Sequence, residues 1–333
     1  MQQPQEKPKS NLLKQLLAAG FAILLLWLAF RGTNMAELWR YSQNIKPLPI
    51  VLIFLSGLTG SLLRSYRWTI LLRPLSDKKI SQFNSFYAVM IGYAVNVAIP
   101  RGGEVVRLLS ICKTENLPWA GVLSTMLIDR VLDLALLVLL LGCTLVILPP
   151  ELIASVPGLK QGGLALLIAV VVGLIVLPNA GGILKKILGL DITIKRLPDT
   201  LRTKLAELAA QFDTGTQALK SPVLYPFIAL LSVAIWFTYW LNFYLMVFAF
   251  GLEDKIDAIK CLIIFTIGSV GVLVPTPGSV GSFHYLVKIA AVQTAGLPPD
   301  QALAYATVLH FLTFVLITCI PASILFFYKR FSK

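Results

Sequence analysis

Apolar runs of near-spanning length recur from Leu12 to Tyr328, and this repetition constrains the chain more than any other feature. The clearest are Leu12 to Phe30, Leu48 to Leu72, Leu123 to Leu148, Leu164 to Pro178, Leu224 to Phe250 and Ala302 to Tyr328. With 57% hydrophobic and only 14% charged residues, a chain built this way is an all-α polytopic membrane protein. The roughly ten-residue alternating segments of a membrane β-barrel are absent. No A-x-A-like cleavage site precedes Arg31, so the first run is expected to remain as an uncleaved span.

The net charge of +13 is spread along the borders of the apolar runs, which fits anionic headgroups and excludes a nucleic-acid cleft. Cys112, Cys143, Cys261 and Cys319 lie far apart and form neither a CxxC metal site nor a disulfide framework. No metal or cofactor is expected.

Two further apolar stretches, Phe83 to Pro100 and Ile259 to Pro275, are shorter, and each ends in a Pro/Gly cluster followed by a second helical pattern. With the N-terminus inside, the inner connecting segments carry sixteen Lys and Arg and the outer ones five. That bias predicts a multi-pass protein of the plasma (inner) membrane with both termini cytoplasmic. The count requires each short stretch to enter and leave on one face. A pair of full spans at each place preserves the same parity, but return arms of about a dozen residues favour re-entrant helical hairpins, since a span takes roughly 20.

The expectation is therefore six full spans plus two re-entrant, broken hairpins in a single membrane domain, 1–333. The first half, 12–148, is repeated upside down by the second, 164–328, with an inner-face linker at 179–220 between them. Inverted repeats of this kind build transporter sites where broken helices meet near the midplane. In the linker, Leu197, Leu201, Leu205, Leu208 and Phe212 recur at helical spacing. An amphipathic helix on the inner leaflet and packing against the inner ends of the spans explain that pattern equally.

The first hairpin turns at IPRGGEVVR, with Pro100, Gly102 and Gly103 at its tip; the second turns at VPTPGSVG, with Pro275, Pro277, Gly278 and Gly281. Non-helical backbone at membrane depth survives only where protein or water satisfies it, so both tips imply an enclosed cavity. A helix starting at Gly102 or Gly103 is expected to offer unpaired N–H groups and a partial positive charge to an anion. Arg101 adds a planar guanidinium suited to phosphate. Glu104, three residues from both Arg101 and Arg107, is expected to orient one of them and leave the other for the ligand.

Arg64 and Arg67, one turn apart, either join this site or snorkel to phosphates. Asp129, Arg130 and Asp133 lie on a segment from Pro118 to Leu148 that would extend ~46 Å against a ~30 Å core, which places those charges toward its inner third. Asp129 and Asp133 share a face and are expected either to hold an arginine or to close a structural clamp. Asn96, Ser279, His284 and Lys288 complete the candidate substrate-binding set; His310 is a weaker candidate, and Trp236, Tyr239 and Trp240 fit aromatic packing or interface anchoring better than the lining of a lipid path.

The residues RSYRW, N-x-x-x-P-R-G-G-E-x-x-R from Asn96 to Arg107, D-R-x-x-D from Asp129 to Asp133 and P-T-P-G-x-x-G from Pro275 to Gly281 resemble the flippase-like membrane domain of lysylphosphatidylglycerol synthases and their stand-alone relatives. The resemblance runs over about Leu12 to Tyr328. It implies lipid translocation between leaflets, with an anionic or aminoacylated phospholipid or a polyprenyl-phosphate lipid as cargo. Ser279, where the family commonly has Gly, and the missing acidic residue near His284 keep cargo and ion coupling from being carried across.

No soluble aminoacyl-transferase domain accompanies the membrane segments, so the chain is not expected to make the aminoacylated lipid. Two rival readings stand beside transport: a membrane enzyme acting on lipid phosphates, for which no nucleophile–base or metal motif is evident, and a non-transporting partner of a lipid synthase or glycosyltransferase. The residues do not indicate an oligomeric state.

Overall fold

The computed structural model describes residues 34–99, 101–148, 150–156, 158–188, 198–274 and 276–331, together with Leu24 and Trp27. Most of the expected first span, Leu12 to Phe30, lies outside the described residues, as do Leu197 and the tip prolines Pro100 and Pro275. Among the described residues every regular element is helical.

After a short helix α1 (Met35–Gln43), capped by the Asn34 side chain, comes α2 (Pro47–Leu72). The pair α3 (Gln82–Ala98) and α4 (Gly102–Glu115) precedes α5 (Trp119–Leu145). Next are α6 (Leu159–Val176), α7 (Ala180–Leu188) and α8 (Asp199–Thr216). The chain continues through α9 (Tyr225–Ala249), the pair α10 (Ala258–Leu273) and α11 (Ser282–Ala295), α12 (Pro299–His310), a π-helical segment Phe311–Leu316 and α13 (Ile317–Phe331).

Among the described residues, four helical stretches are long and apolar enough to cross a membrane: Pro47–Leu75, Leu159–Leu188, Pro222–Ala249 and Pro299–Phe331. This is a multi-pass membrane protein. The 27 residues of α5 reach about 40 Å, but its middle carries Asp129, Arg130 and Asp133. On α6, Leu164, Ile168, Val172 and Ile175 are exposed, as expected of a helix whose solvent is hydrocarbon.

Both Pro/Gly clusters turn the chain back on itself. At the open end of the first hairpin the Asn84 side chain donates to Glu115 Oε1 at 2.5 Å, so α3 and α4 run antiparallel. The arms touch through glycine backbone: Gly103 Cα lies so close to the Gly92 carbonyl that a Cβ there would sit 1.8 Å from its oxygen. In the second hairpin Gly271 of α10 meets the Ser282 backbone of α11 in the same way, and Gly268 leaves room for the Val287 side chain. Small residues permit such backbone approach, and lipid-embedded helices use them where no hydrophobic effect drives association.

Each hairpin has its own core. Trp68, Val89, Ile111 and Val122 bury the first against α2 and α5. Phe243, Phe265, Phe283 and Tyr305 bury the second against α9 and α12, and the Tyr305 hydroxyl donates to the Phe243 carbonyl at 2.6 Å. The two halves join where α2 packs along α9, with Gly57 and Gly60 admitting Ile317 and Thr238. The linker helix α8 packs on α5 and α7 through its small residues Ala209 and Gly215, while Leu201 is exposed and Leu205, Leu208 and Phe212 are half-buried.

Candidate functional site

The structure gathers charges from three helices into one buried cluster. Arg64 and Arg67 are one turn apart on α2; Asp129 and Asp133 are one turn apart on α5; Arg107 comes from α4. Arg67 and Asp129 are fully buried and the other three nearly so. Arg67 donates from Nε and Nη2 to Asp129 Oδ1 at 3.1 and 2.7 Å, from Nη2 to Asp133 Oδ1 at 2.7 Å, and from Nη1 to the Ser232 hydroxyl at 2.8 Å. Arg64 donates to Asp129 Oδ2 at 3.4 Å and to the Tyr239 hydroxyl at 3.0 Å. Its Nη2 lies 2.6 Å from Asp133 Oδ2, close enough for an ion pair though outside hydrogen-bond geometry.

Arg107 completes the set by donating from both Nη atoms to Asp129 Oδ2 at 3.3 and 3.2 Å. Its guanidinium lies 3.9 Å over the Trp68 ring, whose indole N–H is held by Thr125 at 3.1 Å. Three guanidinium groups therefore share two carboxylates, and the cluster holds one net positive charge. Arg107 Nε, buried, has no hydrogen-bond partner there. The aromatic face under Arg107 offsets part of that deficit electrostatically.

Nearer the first hairpin's tip the arrangement differs from expectation in two ways. Glu104 pairs with Arg130 of α5 rather than with Arg101 or Arg107, and Arg107 is taken up by Asp129. The first N–H groups of α4 are already used: Gly102 donates to the Ile99 carbonyl at 3.0 Å, and Gly103 to the Asn96 side chain at 2.9 Å. Asn96 thus caps α4 from the opposite arm, where a ligand contact was expected, and the helix start is not an open anion cradle.

What remains open at the tip is Arg101. It holds a left-handed backbone (φ 59) directly before α4, its side chain is exposed, and no carboxylate among the described residues pairs with it. Arg130, with 43% of its side chain accessible beside Glu104, is the other cation of this region that is not sealed in.

The second hairpin brings its tip to the first. Gly278 and Ser279 both have positive φ, and Gly278 lies in van der Waals range of the Val97 backbone, where a Cβ would be 3.4 Å from its carbonyl oxygen. His284 and His310 meet behind this tip, and Lys288 lies one turn beyond His284, partly buried. His310, which spacing ranked below His284, ties the tip: its Nε2 is 2.7 Å from the Gly278 carbonyl. The one basic side chain in a run, Ala302 to Tyr328, that has no Lys, Arg, Asp or Glu was the available signal for it. Trp68, Ser232 and Tyr239 also belong to the cluster, and nothing in their own spacing marks them.

The arrangement can hold an anion at an exposed guanidinium in front of a buried positive charge. A UPF0104 membrane protein of Methanocaldococcus jannaschii is 28% identical over 124 residues, a stretch covering 36% of this chain and 36% of that protein. A family profile described as the lysylphosphatidylglycerol synthase TM region matches residues 15–320, and the chain belongs to that family.

Proposed function

We propose that this protein moves a phosphate-bearing anionic lipid between the leaflets of the plasma (inner) membrane, with Arg101 receiving the headgroup. The observation that carries the reading is the meeting of two Pro/Gly hairpin tips, Gly278 against Val97, beside an exposed Arg101 that has no carboxylate partner among the described residues. Behind them the buried cluster holds three arginines against two aspartates. A guanidinium binds phosphate through two parallel N–H···O contacts, and one positive charge in excess behind it raises the potential of the site for any anion.

In this reading α3–α4 and α10–α11 are re-entrant hairpins of two inverted repeats, each flanked by spans, and there are six full spans in all. The headgroup passes between the tips while the acyl or prenyl tails stay in hydrocarbon. Arg130 and Lys288 line the path. Arg64, Arg67, Arg107, Asp129 and Asp133 fix the spans on which the hairpins seat. The sixteen-to-five distribution of basic residues supports cytoplasmic termini. A lipid synthase or glycosyltransferase that makes or consumes the cargo is the partner this activity calls for, and the protein itself transports rather than transforms the lipid.

The test is translocation of a labelled anionic lipid in proteoliposomes. Loss of one charge-assisted contact of about 1.5–3 kcal/mol slows transport roughly ten- to a hundredfold, so Arg101→Ala is expected to fall in that range with an unchanged circular dichroism spectrum. Wild-type rates in Arg101→Ala would remove the assignment. A chemically altered headgroup recovered from the vesicles would replace transport with an enzymatic reading.

A further inference from the structure

The chain contains two histidines, and they come from different helices to meet each other. The ring centroids of His284 on α11 and His310 on α12 are 4.7 Å apart, and the residues are 4% and 6% exposed. Each holds one side of the second hairpin's tip. His284 Nδ1 accepts the Gly281 N–H at 3.4 Å, and His310 Nε2 faces the Gly278 carbonyl at 2.7 Å. Phe314 stacks on His310 at 4.7 Å from within the π-helical turn Phe311–Leu316, a distortion often found at working sites.

These contacts fix where protons lie. A carbonyl only accepts, so His310 must carry hydrogen on Nε2, which leaves Nδ1 as its basic nitrogen. His284 uses Nδ1 as an acceptor, so its hydrogen is on Nε2. A proton added at His310 Nδ1 makes the Nε2–H···O bond to Gly278 charge-assisted and tightens the tip. A proton added at His284 Nδ1 turns the acceptor of the Gly281 N–H into a donor, and that bond is lost. Two imidazolium rings at this spacing in a buried site repel too strongly to coexist, so the pair takes one proton.

We propose that His284 and His310 form a shared proton-binding site that couples proton movement to opening of the second hairpin tip, and thereby to lipid translocation. The inference rests on the transport reading above. The proton enters from water, resides on His310 with the tip held or on His284 with the tip released at Gly281, and returns to water. Nothing else is exchanged.

The acids and bases on the elements packed around the pair include Lys288 and Tyr285 on α11, Asp300 at the far end of α12 with Tyr305 on the same helix, Glu37 and Arg40 on α1, Lys260 on α10, Tyr93 on α3, Arg64 and Arg67 on α2, and Lys329 and Arg330 on α13.

With only two histidines, isotopic histidine labelling of the full-length protein gives two ring signals in an NMR titration. The proposal expects the pair to bind one proton as the pH falls below about 6.5, the ordinary imidazole value, and His284→Gln to move the His310 midpoint by about one pH unit. Independent titration of the two rings, or no titration of either, overturns it whatever the transport assay shows. In proteoliposomes, an imposed gradient of about one pH unit is expected to change anionic-lipid transport several-fold. His310→Gln, which keeps a donor for Gly278, is expected to lose that response. Wild-type transport that requires Arg101 but ignores the gradient overturns proton coupling and leaves the lipid reading standing. Absence of any lipid movement removes the lipid reading, and the titration still decides whether the shared proton site exists.

Discussion

Asp129→Ala is expected to destabilise the protein by about 3–5 kcal/mol, because removing one partner of a buried ion pair leaves uncompensated charge in low dielectric. Asp129 is the hub of the cluster: Arg64, Arg67 and Arg107 all donate to its two oxygens. Without it, three guanidinium groups face Asp133 alone and the buried excess rises from one positive charge to two. In detergent the midpoint of thermal unfolding should fall on the order of 10 °C, if each kcal/mol is worth about 2–4 °C.

Arg107→Met provides the contrast. It removes the surplus cation, leaves two arginines with two aspartates, and keeps an apolar stem over Trp68, so it should cost much less than Asp129→Ala. Equal losses in the two variants would mean that charge balance does not organise the cluster.

Gly103→Ala is the second large effect, and it acts through shape. The new methyl carbon would lie 1.8 Å from the Gly92 carbonyl oxygen and 2.7 Å from Asn96 Cγ, positions no real Cβ occupies. The arms of the first hairpin must separate, which breaks the Asn96 cap on Gly103 and displaces Arg101 with the start of α4. Overpacking in ordinary cores costs about 1–3 kcal/mol; here the obstruction is backbone, so the loss should reach or exceed that range and remove transport as well. Gly142→Ala on α5, where a Cβ meets nothing within 4 Å, is the matched control. It should be neutral or stabilising by up to about 1 kcal/mol, since alanine is the better helix former. Thermal unfolding and the lipid assay, run on both variants, separate the two.

Much of this was legible in the residues. Proline and glycine located both chain reversals: α3 ends at Ala98 and α4 begins at Gly102, while α10 ends at Leu273 and α11 begins at Ser282. The clamp was legible for a similar reason. Arg64 with Arg67, and Asp129 with Asp133, sit one turn apart within their helices, so each pair had to present two like charges on one face.

Spacing says which residues share a face, however, and not which neighbouring helix comes closest. That is why Glu104 was assigned to an arginine of its own helix and found Arg130 instead. The same limit applies to Asn96, whose role depends on the opposite arm lying within hydrogen-bond reach of Gly103. His310 showed only as one polar residue among apolar neighbours, and its tie to Gly278 spans 32 positions of sequence.

The central claim is that the tip of the first hairpin receives a phosphate-bearing lipid headgroup at Arg101. Native mass spectrometry of the protein purified from membranes tests it most directly, by identifying what stays bound to wild type and to Arg101→Glu. The account predicts an anionic phosphate lipid retained by the wild-type chain and lost from Arg101→Glu. Bound lipid that merely mirrors the bulk membrane, in the same amount on both proteins, would contradict it.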